Sequence, residues 1–326
     1  MSVPLARSCV AALLALAALA AHAQDAIRSF PNKPLRFVVG YTPGGGTDIM
    51  ARIVSAKMAE SWGQPVIVDN RPGAQSIIAA ELVAKAAPDG YTLLMGPAGP
   101  MTMNPAIYAK LPYSSQRDFT PVSLLGDFPM LLVVNASLPV KSVHELIDYA
   151  KARPNEVNYG ASAAPFQLAA ELFNQKTGTR FAHIPYKGSG DSVNAVIAGQ
   201  VTMTIADPPP ATGALRAGRL RALAVTAAKR HPAWPDLPTM AEAGVPGMEI
   251  TLWQALFVPA HTPKPIVKKL QDEVMRIIGL SDVRERLAAL GVDPVGSTSE
   301  ALGHVVAADI AKWTAVAKAA NIKAEY

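Results

Sequence analysis

The chain has 326 residues, half of them hydrophobic, with a formal net charge of +5 and a single cysteine. The charge is spread without blocks, which argues against a nucleic-acid patch and leaves only a weak bias toward anionic ligands. The one cysteine, Cys9, lies close to the N-terminus, so the rest of the chain can form no disulfide, thiolate metal site or cysteine nucleophile.

Arg7 precedes the apolar run 11–20, and Ala21-His22-Ala23 places small residues at its first and third positions. Residues 1–23 therefore read as a secretory signal peptide cleaved after Ala23. The run is shorter than the roughly 20 residues of a membrane span, and Cys9 comes too early to be a lipoprotein acceptor. Loss of Arg7 lowers the formal charge from +5 to +4. An exported, soluble protein of about two domains is expected.

A polar leader with Pro31 and Pro34 is followed by the apolar run Leu35 to Val39, then Gly40-Tyr41-Thr42-Pro43-Gly44-Gly45-Gly46-Thr47-Asp48. A helical pattern continues to about Trp62. A strand that stops at glycines and enters a helix leaves first-turn N–H groups unpaired, with the positive end of the helix dipole beside them. Glycine also lets a ligand approach the backbone. The nucleotide readings fail. Gly46 stands where a Walker A loop needs lysine, Ile49 stands where a dinucleotide loop needs its third glycine, and no valine-lysine strand follows.

Pro65 to Val68 predicts a second, buried strand, and 70–76 a loop before a helix to about Ala87. Tyr91 to Met95 predicts a third strand ending at Gly96. The β-α-β-α-β order implies a parallel sheet with right-handed crossovers. Its ligand-collecting loops are 41–48, 70–76 and 96–104. Two extended segments follow within 118–138, then a capping box at Ser142 and Glu145. A second β/α series has strands near 157–159, 181–184, 201–206 and 221–226, with Pro208-Pro209-Pro210 breaking the chain before a short helix. Residues 250–258 are extended and return the chain to the first unit, and helices cover 265–279, 281–290 and 298–319. The expected architecture is α/β: two domains, each a sheet flanked by helices, joined by two crossing segments that act as a hinge. Domain 1 is 24–125 with 255–326, and domain 2 is 126–254.

Several motifs resemble the substrate-binding proteins of tripartite tricarboxylate transporters, the Bug family of extracytoplasmic receptors. They are Pro43-Gly44-Gly45-Gly46-Thr47-Asp48 with Ala51-Arg52, Asn70-Arg71-Pro72-Gly73-Ala74, Pro88-Asp89-Gly90-Tyr91-Thr92, Asp118-Phe119-Thr120-Pro121-Val122, His183-Ile184-Pro185-Tyr186-Lys187-Gly188-Ser189, Gly218-Arg219-Leu220-Arg221-Ala222, Leu237-Pro238-Thr239 and Trp253. They run in order along the chain outside the leader. The resemblance implies a type II-like periplasmic binding protein fold and a location in the periplasm. It implies a small carboxylate ligand, delivery to membrane permease subunits, a monomer, and no cofactor, nucleic acid or enzymatic activity. The sequence departs from the family at Gln75-Ser76, where glycines are usual, and at 159–167, where the loop is shorter and Gln167 replaces a histidine.

The expected ligand-binding residues are Tyr41, Gly44, Gly45, Gly46, Thr47, Asp48, Ala74, Gln75, Ser76, Ser162, Ala163, Gln167 and Asp207. Gly44 to Thr47 would hold a carboxylate through backbone N–H groups and the threonine hydroxyl. Asp48 either touches the ligand or a bound water, or caps the helix. Tyr41 lies along the ligand or packs in the core. Ser162 donates its hydroxyl from the facing lobe or caps a helix. Asp207 suits a ligand amine, a bound water or a turn. Trp253 reads as hinge packing, and Lys187 and Arg71 as solvated charges. Enzyme constellations are missing: there is no Gly-x-Ser-x-Gly, and Asp148 stands where His144-Glu145 would need a second histidine. The competing classes are an exported enzyme acting on a small acid and a ligand sensor for a membrane signalling protein.

Overall fold

Leu35–Val39 (β1) is buried along nearly its whole length, as a strand covered on both faces must be. In this computed structural model, which describes residues 29–319, it sits near one side of a six-stranded sheet. The expected signal peptide lies outside the described residues. Helix α1 (Gly46–Trp62) follows β1, then β2 (Val66–Asn70), α2 (Ile77–Ala84) and β3 (Thr92–Pro97). β1 pairs in parallel with both β2 and β3, the arrangement expected from the β-α-β-α-β order. β2 is not buried. It has β1 as its only neighbour, and Ile67 is 57% exposed.

A π-turn at Gly99–Met103 and a short helix α3 (Asn104–Ile107) lead to the long strand β4 (Phe119–Pro129). The chain then enters a second sheet. Its elements are β5 (Leu131–Asn135), α4 (Val143–Lys151), β6 (Asn158–Ala161), α5 (Ala164–Thr177), β7 (Ala182–Pro185), α6 (Ser189–Ile197), β8 (Met203–Ala206), α7 (Pro208–Arg216) and β9 (Leu220–Val225). Spatial order is β7-β6-β8-β5-β9. Ser142 caps α4 by accepting from the Glu145 N–H at 3.1 Å, and Glu145 reaches back to the Lys141 N–H at 2.6 Å. The three prolines do not break the chain before a helix; they begin it. First-turn N–H groups have no intrahelical partner, so proline costs nothing there, and its fixed φ suits the turn.

β10 (Thr251–Pro259) re-enters the first sheet between β3 and β4, antiparallel to both. Helices α8 (Lys264–Gly279) and α9 (Ser281–Ala289), the short strand β11 (Asp293–Pro294) and α10 (Ser299–Ala319) complete it. The first sheet reads β11-β4-β10-β3-β1-β2. The chain leaves this sheet after Pro129 and returns at Thr251. Thr226, wholly buried, is bonded to both crossings. Its N–H donates to Met130 O at 2.9 Å and its hydroxyl accepts from Met130 N at 2.8 Å. Its carbonyl accepts from Ile250 N at 2.9 Å and its hydroxyl donates to Ile250 O at 2.7 Å.

Candidate functional site

The loop between β1 and α1 takes its shape from one carboxylate. Asp48 is 2% exposed and accepts from the Gly44 N–H, Arg52 Nε and Asn70 Nδ2, each at 2.9 Å. Asn70 Nδ2 also donates to Tyr41 O at 3.0 Å. Burial pushes the Asp48 carboxyl up, but its bonds from Arg52, Gly44 and Asn70 outweigh this and hold it below the ordinary value. The Gly44 N–H is thus committed to Asp48, and neither residue lines the cavities described below. Arg71 pairs with Asp69 at 3.0 Å and is half-exposed.

Of the three loop glycines, only Gly44 has positive φ, +86°. The other two face the second half of the molecule. A Cβ on Gly46 would stand 1.8 Å from Asp207 Oδ2, and one on Gly45 would stand 3.2 Å from Ser189 Oγ. From the other side, a Cβ on Gly190 would meet Gly44 O at 3.1 Å. Beside these contacts Thr42 Oγ1 donates to Asp191 Oδ2 at 2.8 Å, between residues 149 apart in sequence. Two of the three glycines are therefore bare where the halves meet.

An inner cavity of about 20 Å³ lies at this junction, enough for one water-sized group. Gly45, Gly46, Thr47 and Tyr41 line it from the first half, and Ser162, Ala163, Ser189 and Asp207 from the second. Phe128 and the crossing residues Leu252, Trp253 and Gln254 close its floor. Gln254 Nε2 donates to Thr47 Oγ1 at 3.0 Å, which leaves the threonine proton for an acceptor in the cavity. Trp253, expected as hinge packing, stands on the cavity wall, its Nε1 donating to Asp309 at 2.7 Å. Burial raises the Asp207 carboxyl to about 6, against the opposing pull of the Ser189 hydroxyl and the backbone N–H groups of Asp207 and Gly46. Burial, with Tyr113 and Asp207 close by, also keeps the Tyr41 phenol protonated.

An adjoining outer cavity of about 220 Å³ shares Tyr41, Ser162 and Ala163 with the inner one. Ala74, Gln75 and Ser76 form one wall; Gln167, His183, Tyr186 and Lys187 form the other. Burial pulls the His183 imidazole below its ordinary value, so it is neutral at neutral pH. Buried polar atoms without a partner gather at the two cavities: Gln75 Oε1, Ser76 Oγ, Ser162 Oγ, His183 Nε2, Asp207 Oδ1 and Gln254 Oε1. Among the described residues only Ser115 Oγ shares that state elsewhere. Each such atom costs about 1–3 kcal/mol when left unpaired, so the clustering marks where an outside partner is recovered.

Eleven of the thirteen expected residues line one cavity or both, Gly44 and Asp48 being the exceptions. Sequence reasoning missed Gln254, Phe128 and Leu252, and treated His183, Tyr186 and Ser189 only as parts of a motif. Ser189 opens a helix just after Gly188, a signal comparable to that of Ser162. Gln254 had none, since nothing in a buried extended segment shows which face meets Thr47.

Two lobes, joined by two adjacent strands and meeting over a polar cleft, define the class of two-lobed ligand-binding proteins. The chain belongs to the tripartite tricarboxylate transporter receptor family, whose model matches residues 50–322. It is similar to R. palustris Rpa4515, solved with adipate, with 41% identity and TM-score 0.87 over 91% of this chain and all of that one. It is also similar to MatC from Rhodopseudomonas palustris with bound malate, at 36% identity and TM-score 0.83, covering 88% of this chain and 99% of that one. The periplasmic binding protein BugD aligns at 30% identity and TM-score 0.87 over 91% of this chain and all of that one. The family and these neighbours are solute-binding receptors with the two-domain periplasmic binding protein fold.

Proposed function

We propose that the protein is a periplasmic, monomeric receptor that closes on a small carboxylate and presents it to the membrane subunits of a tripartite tricarboxylate-type transporter, performing no chemistry on it. Its lobes are 29–129 with 251–319 and 130–250, exchanged where the strands leave and re-enter the first sheet. The observation that carries this reading is the gathering of unpaired buried polar atoms at one cleft between the lobes. The ligand carboxylate meets the Gly45–Thr47 edge, where the remaining first-turn N–H groups and the Thr47 hydroxyl donate and Ser162 faces it, the Gly46 N–H and the Ser189 hydroxyl being turned to Asp207. Charge-assisted bonds of this kind contribute about 1.5–3 kcal/mol each. Asp207 is compatible with an anion only when it carries its proton and donates it, which its burial favours. The neighbours solved with adipate and malate support the carboxylate class.

A thermal-shift screen of mono- and dicarboxylates on protein stripped of co-purified ligand tests this, because a ligand that binds only the folded state raises the melting temperature. At least one acid is expected to stabilise. A screen without any shift overturns the carboxylate reading, and chemical turnover of a bound acid overturns the receptor role.

A further inference from the structure

Gly73 is followed by three left-handed residues that are not glycine: Ala74, Gln75 and Ser76 have φ of +44°, +52° and +69°. L residues are strained in this region and visit it singly rather than in runs. Glycine adopts such backbone without penalty. The surroundings hold the turn in place. Asn104 Nδ2 donates to Gln75 O at 3.1 Å, and the Ser76 N–H donates to Gly73 O at 2.9 Å. Gly40 makes room for the Ser76 side chain, whose hydroxyl lies 1.7 Å from where a Cβ on Gly40 would stand. Strain that is over-determined by its neighbours, and that sits in a cleft, points to use.

Both side chains end at the outer cavity without partners. Ser76 is 1% exposed with Oγ unpaired, and Gln75 Oε1 is buried and unpaired. Ser162 Oγ and His183 Nε2 face them across the cavity in the same state. The buried polar wall is thus an amide, two hydroxyls and a neutral imidazole. Its one lysine, Lys187, is exposed. A carboxylate entering there would give up its water for neutral partners. A carboxamide or a hydroxyl both donates and accepts, and gives up far less.

We infer that Gln75 and Ser76 are specificity residues of this cleft, selecting a monocarboxylate whose far end carries an uncharged hydrogen-bonding group, a carboxamide or hydroxyl, over the dicarboxylate of equal length. The inference rests on the carboxylate reading above. Isothermal titration of stripped protein at neutral pH compares matched ligands: adipate with adipamic acid and 6-hydroxyhexanoate, and succinate with succinamic acid. The amide or hydroxy acid is expected to bind at least about tenfold tighter than its dicarboxylate, because only it satisfies the unpaired wall. Gln75→Gly/Ser76→Gly loses that preference and melts at a higher temperature, since glycine relieves the backbone. Gln75→Ala keeps the backbone demand and weakens the preference without the rise in melting temperature. A dicarboxylate that binds as tightly as its half-amide, or a preference unchanged in both variants, overturns this inference alone. Failure of every acid to bind overturns the carboxylate reading and this inference with it.

Discussion

Among the loops of the first lobe that face the cleft, two are built on opposite plans. In Gly44–Gly46 two residues, Gly45 and Gly46, give up side chains so that the other lobe can come against them, and only Gly44 is left-handed. Ala74–Ser76 keeps side chains in a conformation that suits glycine, and all three residues are left-handed. Side chains are thus given up at Gly45 and Gly46, where the lobes meet, and kept at Gln75 and Ser76, whose polar atoms end at the outer cavity. The difference teaches that a glycine count alone does not locate a ligand; the neighbour across the cleft decides what each bare position is for.

The sharpest way to break this comparison is to give the first loop a side chain. Gly46→Val places carbon where Asp207 and Pro209 already press. Affinity is expected to fall at least about 100-fold, because closure is part of the binding free energy. Small-angle scattering should show the variant remaining open at ligand concentrations that close the parent protein. A variant that closes and binds normally would sink the contact role of these glycines.

Asp207 supplies a smaller test through pH. Its carboxyl is raised from 3.8 to about 6 in the fold, so the stability it contributes is complete below 3.8 and is lost as pH rises through about 6. The loss is at most about 3 kcal/mol. In Asp207→Asn the melting temperature should match the parent near pH 4 and exceed it near pH 7.5. Affinity for a carboxylate should fall above about pH 6 in the parent, whose Asp207 must then take up a proton beside the ligand, and stay level in the variant. Equal pH profiles would count against the buried acid.

The smallest expected effect belongs to Ala74→Gly. It should stabilise by about 1 kcal/mol, the left-handed penalty less the entropy of glycine, with the ligand preference unchanged. Denaturant titration checks the first quantity and calorimetry the second. Destabilisation would mean that the second loop is not strained.

Much of the frame was legible in the residues. Period, turn chemistry and order placed the parallel strands, the glycine loop and the two crossings, because each rests on neighbours in sequence. The Ser142–Glu145 cap was legible for the same reason. What failed to show depended on partners far away. Pro65–Val68 looked buried, but an apolar run cannot reveal that it lies at a sheet edge. Pro208–Pro210 looked like a break, since proline stops a helix from inside yet opens one from its first turn. Asp48 suited a helix cap or a bound water better than an anion, but nothing local showed that Gly44, Arg52 and Asn70 fill its oxygens. Nothing in Ala74-Gln75-Ser76 announced a left-handed turn, because residues with side chains are the ones that avoid it.

Thr226 gives the closing movement its character. One buried side chain and its own backbone tie Met130 to Ile250, so neither connecting strand can swing without dragging the other. Two independent tethers would let the lobes twist and slide in several ways. A clip shared between them leaves something nearer to a door on a single pin. Opening and shutting should then follow one coordinate.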